Sequence, residues 1–594
     1  MTKIRYNILA AAALLAAPAA LQAVPAYPGL YKFTQKDGTE IQVRRVGDEY
    51  GCYYVTEDNR LLVKENGQFY YATAGDENTP FVSTGIPATA TASRSAETNA
   101  LLNGVDTERA LQLFGMQREA LREARMGGAP VMSRANGDKA PDGTFMSTTN
   151  VPTLGNHKAL VILVSYKDVD FTVENPHEFY TRMLNEEGFS DYGATGSARD
   201  FFVESSKGRY TPEFDVYGPV KLSMNRVFYG ERVGANPDIR PGVMCGEGLQ
   251  MVVDQNPDVD FSQYDTDGDG YIDNFTVIYA GEGEATDEKL TESVWPHAAY
   301  LTGEGVNVSI KNVKANRYNC VNEWRNDYNR PAGIGTIVHE FSHILGLTDL
   351  YDTAYSTGAI VYSPGEWSVM DSGPYNNDGL TPPLLSAFEA YSLGWVDPYL
   401  IESDCEVTMN PNGNVFYIKT DKENEFFMFE ARHRNNKWDA YLPGDGMLIW
   451  HIDYNEAVWL KNTPNNYPNH QYIDLIEADG RHGSSSRRGD AWPGRRGTEA
   501  TEFTFDTNPS FQSWSGYDMK LPITNITRHG WGQVTFRVGK GGLQVGIDNI
   551  TDDNATDDNA PVEWFTMQGV RVDNPSNGIF IRRQGTKVTK EMVN

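Results

Sequence analysis

Between Gly335 and Asp352 runs GTIVHEFSHILGLTDLYD, a stretch that limits the fold more than any other part of the chain. Ile337, Phe341, Ile344 and Leu345 recur at helical spacing and ask for a buried helix, yet His339, Glu340 and His343 occupy the same turns. His339 and His343 are separated by one helical turn, so both imidazoles project from one face. That spacing lets two neutral nitrogens reach one zinc ion at about 2.0–2.1 Å. Glu340 follows the first histidine, where it can act as general base on zinc-activated water without ligating the metal. Gly346 can end the helix in a left-handed conformation, so that the chain folds back and Asp349 supplies a third, oxygen ligand. A fourth position then stays open, as catalysis requires. The competing reading is an ordinary amphipathic helix with surface histidines; Gly346 and Asp349 in this order favour the metal site.

The rest of the chain sets the context. A length of 594 residues exceeds what one core supports, so roughly three or more folded units are expected. Aromatic content of 12% together with 56 Gly points to sheets and turns rather than a helical bundle. A formal charge of -29 argues against nucleic acid and anionic membrane surfaces as partners. Lys3 and Arg5 precede the apolar run Ile8–Leu21, and Leu21-Gln22-Ala23 offers a signal-peptidase site, with Ala26 as second choice. The run is shorter than the roughly 20 residues of a membrane span. The expectation is a secreted or cell-surface protein without a transmembrane span once mature.

Composition divides the remainder of the chain. Residues 24–154 read as a partly β front segment ending in a Gly/Ala/Pro/Ser-rich linker, with helical periodicity over Ala100–Arg125. The run ALVILVS, Ala159–Ser165, is a central strand opening the main domain, 155–398. Residues 174–186 and Ser197–Ser206 read as helices, Asn274–Ala280 as a buried strand. Residues 399–545 read as an antiparallel, sandwich-like β module. A repeated TDDNA makes 546–561 an acidic tether, and 562–594 is a short strand-rich tail.

HExxHxxGxxD followed by Trp367-Ser-Val-Met370-Asp-Ser-Gly373 resembles the M6 family of immune-inhibitor-A-like peptidases, which are similar to metzincins with Asp for the third His. Leu160–Val164, Ser205–Gly208, Tyr217-Gly-Pro219, Ser386–Trp395 and Gly446–Asp453 carry the likeness further, and VRRVGDEYGCYYVTEDN resembles the family's pro-segments. The resemblance implies an α+β chain: pro-segment, metzincin-like zinc peptidase domain, then the β module. Met370 would be the Met-turn residue beneath the zinc. Metzincins commonly place a Tyr two residues after that Met. Ser372 stands there instead, which leaves Tyr375 as the candidate oxyanion donor. The tail resembles short C-terminal modules of secreted Bacteroidetes proteins, implying sorting or surface attachment.

Asp265, Asp267, Asp269, the Tyr271 carbonyl and Asp273 match the first nine positions of an EF-hand-like loop, with Gly270 at the sharp turn. Thr276 replaces the closing Glu, so structural Ca²⁺ is expected rather than a standard EF-hand; the alternative is a Gly/Asp turn. Cys52 is the candidate zinc ligand of a latent form, against the commoner buried apolar cysteine. Cys52, Cys245, Cys320 and Cys405 show no CxxC spacing, and their pairing stays open. His297 and His451 read as structural histidines. The function expected is a zinc endopeptidase made as a zymogen and acting on proteins or peptides. An inactive scaffold or adhesin, and a non-peptidase zinc hydrolase, are the alternatives.

Overall fold

The computed structural model describes residues 22–126, 151–232, 238–286, 292–355, 363–467, 469–483 and 485–539, with 561–565, 571–572, 575, 578–584 and 587–593 of the tail. The apolar run Ile8–Leu21, the segment 127–150 read as a linker and the TDDNA repeat lie outside the described residues.

ALVILVS sits in the strand Gly155–Ser165, whose buried residues divide by alternation between two cores. Val161 and Leu163 face one, and Leu160, Ile162 and Val164 the other. A strand apolar on both faces belongs inside a parallel sheet covered by helices. The neighbours Tyr210–Lys221 and Phe275–Glu282 pair with it in parallel, and Arg317–Arg325 pairs in parallel with Phe275–Glu282. His297–Tyr300 then runs antiparallel along Arg317–Arg325. The short strand Gln22–Ala23 pairs antiparallel on its far side, Gln22 opposite Ala298 and Ala23 opposite His297.

The other outer strand is closed by side chains. Asn185, at the end of helix Pro176–Asn185, donates to the Phe214 carbonyl at 2.9 Å and accepts from the Phe214 N–H at 2.8 Å. His177 adds a bond to the Val216 carbonyl at 3.0 Å. Backbone groups that could recruit another strand are thereby occupied on this side.

Helices Pro176–Asn185, Ala198–Ser205 and Ile334–Ile344 pack on one face of the sheet, and Pro241–Gln255 on the other. Both short helices expected from the sequence are present. The periodicity over Ala100–Arg125 resolves into two helices, Ala96–Leu102 and Thr107–Met126. Asn103-Gly104 breaks the run, and Asp106 restarts it by accepting the Arg109 N–H.

The front segment is a six-stranded antiparallel meander from Tyr31 to Pro87. Residues 399–539 form a five-stranded and a three-stranded sheet whose apolar faces meet in one core containing Phe427, Phe429, Trp492 and Phe536. Pairing there is antiparallel except for Tyr399–Leu400, which runs parallel to Phe416–Lys419. A second core is shared with the preceding domain: Trp367, Trp438, Trp450 and Trp459 lie in the same apolar cluster as Ile337 and Phe341. Among the described residues, those up to 539 form one compact unit and those from 561 onward another. The described part of the latter is a small antiparallel sheet, Val562–Phe565, Arg571–Val572, Gly578–Gln584 and Lys587–Val593.

Candidate metal centre

The helix Ile334–Ile344 starts where a side chain cannot fit: a Cβ on Gly335 would stand 1.9 Å from the Pro374 carbonyl oxygen. Bare backbone lets the helix lie against the turn Gly373–Gly379. It ends in a Schellman arrangement, the Gly346 N–H donating to the His343 carbonyl at 2.9 Å and the Leu347 N–H to that of Ser342 at 3.1 Å. Gly346 takes φ +100°, as the sequence pattern requires. The chain then turns back and presents Asp349 to the histidines.

His339, His343 and Asp349 are fully buried. The two Nε2 atoms lie 3.1 Å apart, and Asp349 Oδ1 is 3.4 Å from His339 Nε2 and 3.3 Å from His343 Nε2. A tetrahedral ion about 2.0–2.1 Å from each ligand separates its ligands by about 3.3–3.4 Å, close to these edges. Proton accounting points the same way. His339 Nδ1 contacts the Val369 carbonyl at 2.7 Å and His343 Nδ1 the Leu347 carbonyl at 3.0 Å. Carbonyls only accept, so both Nδ1 atoms carry the proton, and in neutral rings both Nε2 lone pairs point at each other and at a carboxylate. Asp349 Oδ1 has no hydrogen-bond partner there. Three converging acceptors need a cation, and the donor set suits zinc.

The electrostatics agree. Burial would raise the Asp349 carboxyl, but the two imidazoles outweigh it and hold it down at about 2. Burial lowers His343 and pushes Glu340 well above its ordinary range. Glu340 is fully buried, and its Oε2 has no hydrogen-bond partner among the described residues.

Met370 is fully buried in the turn after the site helix. The turn orients the site through the Val369 carbonyl on His339 and through the Met370 carbonyl, which accepts from the Leu350 N–H at 2.8 Å. Glu389 anchors it: Oε1 accepts from the Ser368 hydroxyl and the Met370 N–H, while Oε2 caps its own helix at Ser386. From the β module Trp367 Nε1 finds Asp490 at 3.0 Å, and the Arg487 guanidinium holds Glu366 and the Ser363 carbonyl.

Val24 and Pro25, which no sequence pattern singled out, lie against Glu340 and Tyr375. The Val24 N–H donates to Glu340 Oε1 at 2.9 Å. Trp295 Nε1 donates to the Val24 carbonyl at 3.0 Å and Tyr375 OH to that of Pro25. Val24 and Ala26 are buried with Ala285, Trp295 and Tyr375. Burial pushes the Tyr375 phenol far up, so it stays a donor. Cys52, by contrast, is not part of the histidine–aspartate group. Its thiol lies 3.9 Å from the Arg232 guanidinium, beside the segment that blocks Glu340. Cys52 is thus not brought to the histidines and Asp349 in this structure.

Of the calcium candidates, Asp265, Asp267 and Asp269 are brought together. Asp265 accepts from the N–H groups of Gly268, Asp269 and Gly270, wrapping the loop around it. Asp273 is not in that group and is bonded to the Thr266 N–H and hydroxyl, while Tyr271, expected to offer its carbonyl, donates its N–H to Asp269 at 2.7 Å. His297 contacts the Trp295 carbonyl and Tyr318 OH, and His451 contacts Glu425, both as structural histidines. All four cysteines are free.

Residues 154–396 match the family model described as immune inhibitor A peptidase M6, catalytic domain. The chain is 25% identical over 282 residues to pre-pro-metalloprotease PrtV of Vibrio cholerae, covering 42% of this chain and 30% of that protein. It is 27% identical over 299 residues to immune inhibitor A of Bacillus thuringiensis subsp. alesti, 43% of this chain and 42% of that protein. It thus spans less than half the length of these relatives. A solved metalloproteinase-II from Bacteroides fragilis aligns over 61% of this chain and 86% of that one, at 11% identity and a TM-score of 0.20, too low to bear on the fold. Over residues 154–396, then, the chain is similar to the catalytic domain of the immune inhibitor A, or M6, peptidases.

Proposed function

We propose that this chain is an exported zinc endopeptidase, made as a zymogen and acting on proteins or peptides. The observation that carries the reading is the buried triangle of His339 Nε2, His343 Nε2 and Asp349 Oδ1 beside Glu340. Zinc held there would supply a Lewis acid that polarises the peptide carbonyl and makes water nucleophilic at neutral pH. Glu340 accepts the proton of the attacking water and returns it to the departing amine. The Val24 N–H supports that role, since a backbone nitrogen of a bound strand sits within hydrogen-bond reach of Oε1. Tyr375 donates to a strand carbonyl in the same cleft and is the candidate donor to the developing oxyanion.

Substrate is proposed to bind as an added strand on His297–Tyr300, with main-chain bonds giving affinity. Gln22–Ala23 take that place in the precursor and Val24–Ala26 continue past Glu340, which supports latency. Signal removal after Ala23 would leave Val24–Ala26 in the cleft, whereas removal after Ala26 would clear them. Asp265, Asp267 and Asp269 are proposed to hold structural Ca²⁺, and the 562–594 tail to serve attachment at the cell surface.

After the front segment is removed by limited proteolysis, a chelator should abolish cleavage of a denatured protein, and Zn²⁺ should restore it. Undiminished cleavage by demonstrably zinc-free protein would exclude this mechanism.

A further inference from the structure

We infer that Asn462, which lies outside the family-matched domain, is a positioning residue for the metal centre: it sets which oxygen of Asp349 faces the two histidines. The inference rests on the zinc reading of that site. Asn462 follows the helix Glu456–Leu460 and is 3% exposed. Its Nδ2 donates to Asp349 Oδ2 at 2.6 Å. Its Oδ1 accepts from the Asp349 backbone N–H at 2.7 Å and from the Thr348 hydroxyl. Its own carbonyl accepts from the Thr353 hydroxyl at 2.9 Å.

Donor and acceptor of one amide are thus both spent on Asp349. A carboxylate is free to present either oxygen, or both, to a cation. With Oδ2 turned to that N–H, Oδ1 is the atom facing His339 and His343. The same amide fixes the backbone from which Asp349 projects. Asn465 and Asn466 extend the grip, Asn465 Nδ2 donating to the Leu350 carbonyl at 2.7 Å and Asn466 Oδ1 accepting from the Thr353 N–H at 2.9 Å. The loop behind the third ligand is therefore fastened by the NTPNN segment, Asn462–Asn466.

The residue type follows from the backbone. Asn462 has φ +56°, a conformation that asparagine tolerates better than most side chains. Two substitutions separate the roles. Asn462→Asp keeps size and acceptor but sets a second carboxylate against Asp349 Oδ2. Asn462→Gly keeps the left-handed backbone and removes the amide altogether. Partners that orient a ligand typically change metal affinity by about 10–100-fold.

The test uses the full-length protein, with Zn²⁺ as probe. Zinc affinity is measured by competition with a chromophoric chelator, and melting temperature is recorded with and without zinc. Both Asn462 variants should bind zinc about 10–100-fold more weakly, with the larger loss of melting temperature in the zinc-loaded form. In an Asp349→Ala background, Asn462→Gly should cause little further loss. Unchanged zinc affinity together with a lower zinc-free melting temperature would make Asn462 merely structural and overturn the inference. If wild type and His339→Ala bind zinc equally, the reading of the site itself fails, a result distinct from failure at Asn462.

Discussion

Each residue of the centre is held by groups that decide what its reactive atom can do. Val369 and Leu347 carbonyls fix the proton on Nδ1 of His339 and His343, freeing both Nε2 atoms. Tyr375 is held with its hydroxyl on a carbonyl of the bound strand. If it serves the oxyanion, Tyr375→Phe in the processed enzyme should lower kcat by about 10²–10³-fold while zinc content is unchanged. An unaltered kcat would remove it from the chemistry. Spacing made His339, Glu340 and His343 legible, because a helix brings i and i+4 together whatever surrounds it. Asp349 was legible through Gly346, whose φ of +100° makes the turn. Asn462 was not, since it reaches Asp349 across 113 positions and no local pattern records such a contact.

Among the elements, the site helix and the outer strand His297–Tyr300 set the cleft. Gly335 allows the helix to touch the turn at Pro374, so Gly335→Ala should force the two apart and cost about 1–3 kcal/mol in thermal or denaturant unfolding. An unshifted midpoint would mean that the contact is looser than the distances imply. That strand's outer edge, which Gln22–Ala23 covers here, is the place where a strand can add, since Asn185 and His177 occupy edge groups on the opposite side. Val24 and Ala26 are buried there, and their burial argues for keeping them after export. Intact-mass analysis of the secreted precursor should therefore find Val24 at its N-terminus; a start at Tyr27 would leave the cleft open and contradict latency by this segment. Ala159–Ser165 announced its strand by being apolar on both faces. Val24–Ala26 carried no such sign, for it lies just past the first-choice signal-peptidase site at Ala23 and meets Glu340 only through folding.

At the scale of the molecule, the metal centre is assembled from parts far apart in the chain. The matched domain contributes the helix, the Gly346 turn and the Met370 turn, whereas the β module contributes Arg487, Asp490 and a share of the core through Trp438 and Trp450. A chain ending at residue 398 should accordingly lack a cooperative unfolding transition, and a compact, zinc-binding 1–398 fragment would show the module to be dispensable. A succession of short strands marked the module in the sequence; it could not reveal that module and domain share a core, so that Glu425–Arg432 and most of Gly446–Asp453 are buried on both faces. The direct measurement is on processed wild type and Glu340→Ala side by side, recording zinc content and cleavage of an unrelated denatured protein. Equal zinc in both, with cleavage confined to wild type, is the expected result. Equal cleavage by Glu340→Ala would contradict the central claim that this carboxylate moves the proton at a zinc site.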